Sequence, residues 1–385
     1  MANSITFVEG QAGLGAPLPG QDYVSGYAHY TTQTVPVGFS ASNIQEVFSI
    51  TDLENLGITQ SQTEYGIAWY HVNEFFRVQP QGALYVGIFA TAGAYDDLDT
   101  MQAYAEGSIR QIGIYESATF SASTLNALQT KANSLSFTNY TPCELFWQPN
   151  FKGLSLSTLT DLNTVAAHNV TVCLGQDGGG LGATLYNSVN KTVGCVGTFL
   201  GSVALSAVQE SVAWPDKFNV DSGSEFDTLA FANGDLYKNQ SNGLINQLDT
   251  RRYVFPKKLI GLNGSYWNNP YTAVSSASDY AFVFRNRVIH KVERNIRTTM
   301  TPQIARNIYF NADGSINYGT IKYWESLCSQ QLSLMVSAGE ISAYKVIIDP
   351  VQNVLSTNTL IISLQIIPVG VANNITINVG FVTSL

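Results

Sequence analysis

Phe284-Arg285-Asn286-Arg287-Val288-Ile289-His290-Lys291-Val292-Glu293-Arg294-Asn295-Ile296-Arg297 is the stretch from which the architecture is read. Phe284, Val288, Val292 and Ile296 recur every fourth residue, while Arg287, Lys291 and Arg294 fall at i, i+4 and i+7. One helix with this spacing carries an apolar stripe and a basic stripe side by side, so one packs inward while the other faces a partner. A turn signal at Asn311-Ala312-Asp313-Gly314 follows. A second helical pattern then runs through Ile321, Trp324, Leu327, Cys328, Leu332 and Met335, closed by Gly339 as a C′ glycine. A strand over 341–348 ends at Asp349-Pro350.

Toward the N-terminus the pattern changes to an alternation of element types. Uniformly apolar runs of strand length occur at 83–90, 112–115, 143–147 and 170–174, and helical patterns at 98–109, 123–132 and 156–168 lie between them. Strands of uniform hydrophobicity separated by helices predict a largely parallel sheet covered on both faces. A further helix is expected over 65–78, and another, rich in small residues that suit close packing, over 191–208. Between residues 23 and 66 the pattern is mixed, with a strand expected at 35–39 and a helix entered at Ser42. Residues 209–250 read as a connection, and strand character resumes at 253–262 before the hairpin-grade turn Asn263-Gly264.

Both ends read as strands without obvious partners. Ile5, Thr6, Phe7 and Val8 precede a lead rich in Gly and Pro, and Ile375, Ile377, Val379 and Phe381 alternate near the end of the chain. A strand-length piece on a flexible lead adds readily to a sheet edge, in its own molecule or in a neighbour.

The 385 residues suggest more than one domain. Charged residues are 12% of the chain, about half the ~25% usual in soluble domains, and no apolar run is long enough to span a membrane. Depleted charge fits a surface buried against neighbouring subunits. The net charge of −9 is polarised: residues 251–297 hold nine Lys/Arg against two acids, a local +7, leaving ten basic and 26 acidic side chains, −16, elsewhere. Copies of such a chain attract one another, basic face to acidic face, which is favoured over nucleic acid. The first residues resemble no signal peptide, so folding in a cytoplasm is expected. Cys143, Cys173, Cys195 and Cys328 read as reduced and buried.

No catalytic constellation converges. Gln176-Asp177-Gly178-Gly179-Gly180-Leu181-Gly182 follows a buried strand, where open α/β sheets bind phosphates, but lacks the spacing of a P-loop or dinucleotide fingerprint. A nucleotide-binding α/β enzyme centred there is the alternative reading. His71 with Glu74 lacks a third ligand, and Asp96, Asp97 and Asp99 sit where a helix dipole favours acids. No cofactor or metal is implied.

From residue 264 onward the chain shows, in order, Gly264 with Trp267, Arg285-Asn286-Arg287, Asn317 with Trp324, Gly339-Glu340-Ile341, Val346-Ile347-Ile348-Asp349 and Ile366-Ile367-Pro368-Val369. This ordered pattern resembles the contractile phage tail sheath family, including sheaths of related contractile injection systems. Two steps depart from it. Trp267-Asn268-Asn269-Pro270-Tyr271-Thr272 stands where many sheaths have Trp-Gly-x-Arg-Thr, and Val371-Ala372-Asn373-Asn374 replaces a Pro-Ala-Glu-like step.

The resemblance implies an α/β (α+β overall) fold in three parts. An N-terminal strand arm and linker would occupy 1–20, an outer α/β domain 21–250, and an inner sheath domain of two helices and a mixed sheet 251–385. It implies a non-enzymatic subunit that polymerises as stacked hexameric rings around a tail tube and contracts. The expected partners are itself, the tube protein and the baseplate and terminator proteins, with no nucleic acid and no membrane insertion. Its expected location is the virion tail, assembled in the host cytoplasm. The arms at residues 5–8 and 375–381 would be lent to neighbours, and Arg287, Lys291 and Arg294 would face the tube or an adjacent subunit.

Overall fold

The computed structural model describes residues 22–62, 65–90, 93–377, 379 and 381. In chain order its elements begin with β1 (Ser25–Tyr30), β2 (Ile44–Val47), α1 (Ile50–Asn55), α2 (Tyr65–Val78), β3 (Leu84–Phe89) and α3 (Asp97–Tyr104). Next come β4 (Gln111–Thr119), α4 (Ala122–Phe137), β5 (Glu144–Asn150), β6 (Val170–Val172), β7 (Gly175–Asp177), α5 (Leu181–Val189) and α6 (Val196–Leu205). Then follow β8 (Leu229–Phe231), α7 (Asn242–Thr250), β9 (Pro256–Lys257), β10 (Tyr266–Trp267), α8 (Val283–Met300), α9 (Tyr318–Ser337), β11 (Ile341–Ile347) and β12 (Ser363–Pro368).

The first six strands form one sheet in the order β2-β3-β1-β4-β5-β6. All neighbours are parallel except the edge strand β2, which runs antiparallel to β3. Parallel strands need crossovers, and these cover both faces. On one face α3 and α4 set Leu98, Met101, Leu125, Leu128 and Leu135 against Ile112, Ile114 and Leu145. On the other, α2 and α6 set Ile67, Tyr70, Phe75 and Phe199 against Tyr27, Val86, Ile88 and Phe146. The small residues of α6 permit its close approach to α2, since a Cβ at Gly197 would overlap the His71 carbonyl oxygen.

Three local expectations are corrected. Residues 35–39 form no strand but a short 3-10 turn at Val37–Phe39, and the segment after Ser42 is β2 rather than a helix. Residues 156–168 form two 3-10 turns, Leu156–Thr158 and Leu162–Thr164, because side chains such as Asp161, bonded to the Asn163 amide at 3.0 Å, compete with helical bonding. The third concerns β1, which the mixed pattern conceals. Ser-Gly-Tyr-Ala-His-Tyr looks polar, yet His29 stacks on Tyr115 at 4.9 Å and accepts or donates a 3.0 Å bond with the Tyr27 hydroxyl, so it packs as an aromatic ring.

Residues beyond 250 first extend this unit: Val254 bridges Cys173 in parallel, and Trp267 is buried with its Nε1 donating to Ser202 Oγ at 3.0 Å. The remainder is a second layer. Helices α8 and α9 and the antiparallel ribbon β11–β12 enclose Val288, Val292, Leu332, Met335 and Ile341, with Tyr344, Val346, Leu364 and Ile366 packed over them. Gly339, at φ +71°, takes the left-handed position that ends α9.

Candidate assembly surfaces

The basic stripe of α8 turns toward the sheet unit. Arg287 is buried, donating from Nη1 to Ser206 Oγ at 2.7 Å and from Nη2 to the Asp22 carbonyl at 3.2 Å. Lys291 reaches Asp22 Oδ2 at 2.7 Å and Glu340 Oε1 at 2.5 Å, and Arg294 reaches Asp22 Oδ1 at 2.6 Å. Burial raises the Asp22 carboxyl, but Arg294 and Lys291 outweigh it and hold the group below its ordinary value. Burial lowers Arg287 to about 10. In this single chain the three cations therefore meet acids and carbonyls of the chain itself, not an open face.

Beside them lies a dry polar joint between β5 and α8. Asn169 Nδ2 donates to Glu144 Oε1 at 3.0 Å, Asn286 Nδ2 to Glu144 Oε2 at 3.3 Å, and His290 Nδ1 lies 3.6 Å from Glu144 Oε1. Burial pushes Glu144 up to about 8 and His290 down to about 3, disfavouring charge on both despite their proximity.

The ribbon is the unfinished part. β11 and β12 pair only with each other among the described residues, leaving one edge of each open. A groove of about 500 Å³ runs between α8 and β12, lined by Arg285, Val288, Ile289, Leu364, Ile366 and Pro368 among others. Beyond it, Ile375, Ile377, Val379 and Phe381 are 80%, 78%, 91% and 110% exposed and belong to no ladder among the described residues. The N-terminal candidates Ile5, Thr6, Phe7 and Val8 lie outside the described residues.

The enzyme-like features are taken up by the fold. Asp177 accepts from the Gly179, Gly180 and Ala183 amides, and Glu225 accepts from the Leu181 amide at 2.8 Å, so protein carboxylates occupy the helix N-terminus where a phosphate would bind. Glu74 is paired with Arg77 and accepts from Thr198, while His71 Nδ1 accepts from the Gly197 amide at 3.2 Å and Nε2 bonds the Val193 carbonyl at 3.0 Å. Asp96 and Asp99 share Lys131. The four cysteines are free and buried. Among the described residues no cluster of three or more His, Cys, Asp or Glu is arranged to hold a metal, and no helix is long and apolar enough to cross a membrane.

Sequence reasoning missed Asp22 and Glu144. Asp22 follows a Gly- and Pro-rich sequence with no local signal, and Glu144 sits inside an apolar strand, where a lone acid is itself the available sign.

Residues 3–270 match the family model DUF2586, N-terminal domain, and residues 279–385 match DUF2586, C-terminal domain. No curated protein matches the sequence. Among solved structures, the chain is similar to one in the cryo-EM structure of the anti-feeding prophage baseplate, at 13% identity and a TM-score of 0.60, covering 100% of this chain and 99% of that one. A chain of that baseplate in its contracted state gives 12% identity and 0.56, covering 98% and 97%. The sheath tail protein of Listeria innocua gives 8% identity and 0.52, covering 90% and 95%. The fold, over nearly the whole chain, is that of a tail sheath protein.

Proposed function

Because this chain belongs to the DUF2586 family and has the fold of a tail sheath protein, we propose that it is a structural subunit of a contractile tail sheath, not an enzyme. Copies would stack as hexameric rings around a tail tube, with the α8–α9 unit inward and the sheet unit outward, and would meet a baseplate at one end and a terminator at the other. The polymer would belong to a virion tail or a phage-derived injection system, assembled in the host cytoplasm.

The observation that carries this reading is the coincidence of a ribbon whose edges are open among the described residues with an exposed alternating sequence. In an extended conformation Ile375, Ile377, Val379 and Phe381 would share one face. Seven residues, 375–381, span ~23 Å at strand rise, comparable with the ~20 Å of β12. Docked at a ribbon edge of a neighbour, the segment satisfies backbone donors and removes four large apolar side chains from water, roughly 1.5–3 kcal/mol for each before ordering costs. Residues 5–8 would serve the same role at the other end. Backbone pairing survives rotation of the attached units, so lent strands hold subunits together while the sheet units pivot and bury more surface during contraction.

Negative-stain microscopy of concentrated protein tests the reading: rings or tubes are expected. Monodisperse small particles at every concentration would sink it. Chains lacking residues 375–385, or residues 1–12, should fold and remain unassembled, and tubes formed by either would remove that arm's role.

A further inference from the structure

We infer that Asp22 is the anchor through which a pull on the N-terminal arm is delivered to the α8–α9 unit as well as to the sheet. An anchor matters only where arms bridge subunits, so the inference rests on the assembly reading above. β1 starts three residues after Asp22 and is paired along its whole length with β3 and β4. Asp22 takes no part in that ladder. Its two carboxylate oxygens are divided between Lys291 and Arg294, and its carbonyl accepts from Arg287 at 3.2 Å and Gln111 at 3.1 Å. Lys291 in turn holds Glu340, the residue before β11. One residue thus ties the point where the arm joins the body to β4 through Gln111, to the middle of α8 and, through Lys291, to the start of the ribbon.

The anchor is not a surface ion pair. The Asp22, Lys291, Arg294 and Glu340 side chains are only 13–18% exposed, so solvent screens them weakly. Nor is it redundant. Arg110, Arg287, Lys291 and Arg294 gather here, Glu210 and Glu293 each act on one of them, Glu340 pairs with Lys291, and neutralising Asp22 removes the one carboxylate that pairs with both Lys291 and Arg294. Tension along the arm meets Asp22 before it reaches β1, and the ion pairs pass part of it to α8. A neighbour's movement would then be felt by α8 and the ribbon as well as by the parallel ladder.

The full chain is compared as wild type, Asp22→Asn and Asp22→Glu by hydrogen exchange of the unassembled protein and by dissociation of preformed polymers on dilution. Asp22→Asn should raise exchange in 287–297 and 340–344 at least about tenfold and leave 25–30 unchanged, and its polymers should dissociate at least about tenfold faster. Asp22→Glu, which keeps the charge, should restore both. Unaltered exchange in α8, equal loosening of β1, or polymers as durable as wild type would overturn the anchor. A wild-type chain that never polymerises would overturn the assembly reading instead, and the exchange data would still decide the anchor.

Discussion

The sheet unit and the ribbon unit answer the same physical requirement in opposite ways. In the former, parallel strands are covered on both faces, and even its glycine loop is closed by Asp177 and Glu225. In the latter, two strands cover one face of α8 and α9, edges stay open, and a row of large apolar residues faces water. The sheet unit's core is enclosed on both faces, whereas the ribbon unit's core has edges that, in the proposed assembly, a neighbour would complete. A polymer subunit needs both: a rigid body to be moved and an unfinished one through which to be held.

Breaking the sheet unit should therefore cost monomer stability most. Phe199 on α6 is fully buried and meets Phe146 at 4.9 Å and Trp267 at 5.1 Å between ring centroids. Phe199→Ala should lower the unfolding free energy by about 3–5 kcal/mol in urea titrations. A loss below about 1 kcal/mol would mean that this core is not the fold's main support.

Acid should act next most strongly, within the sheet unit and at its joint with α8. Burial holds His29, His71 and His290 down at about 3, below the ordinary 6.5. The unfolded chain binds protons at these sites between pH 6.5 and 3 while the folded chain does not, so stability present above 6.5 is lost as pH falls through this window. Glu144, raised to about 8, works the other way: its contribution falls as pH rises from 4.5 to 8. Glu116 and Glu225, also raised, oppose in the same sense. The three histidines, each depressed by burial, act against these carboxyls, and a net loss of stability is expected between about pH 6.5 and 5. Urea midpoints at the two pH values measure it, and a flat profile would mean that the folded and unfolded chains take up equal numbers of protons over this range.

A smaller loss tests the contact between α2 and α6. Gly197→Ala forces a methyl group against the His71 carbonyl and should cost about 1–3 kcal/mol as the helices separate. Thermal unfolding of the variant reads it directly, and an unchanged midpoint would mean that the helices have room to part.

The same contrast explains what could be read from sequence. Helix α2 over 65–78, the alternation from β3 to β6 and the Gly339 stop are local periodic signals, and local geometry obeys them. β1 is hidden because a buried neutral histidine reads as polar, and residues 156–168 mislead because their apolar spacing is helical while their Ser, Thr, Asp and Asn side chains favour turns. The basic stripe of α8 is legible as a stripe, but its partner Asp22 lies 265 to 272 positions away, and no spacing rule connects them. The exposed alternation at 375–381 is legible because it is a pattern without a partner.

That alternation supplies the sharpest test, since it should have the smallest effect on the monomer. Ile377 is 78% exposed and contributes to no core cluster, so Ile377→Asp should change the unfolding free energy by no more than about 0.5 kcal/mol. In an assembly the same carboxylate would be buried between a lent strand and a neighbour's ribbon, where an unpaired charge costs several kcal/mol at every subunit contact. Sedimentation should show a normally folded chain that no longer pellets as polymer. Folding that fails along with assembly would place Ile377 in the subunit's own core. Assembly that persists would place the lent strand elsewhere, and the ribbon's open edges would then need another partner.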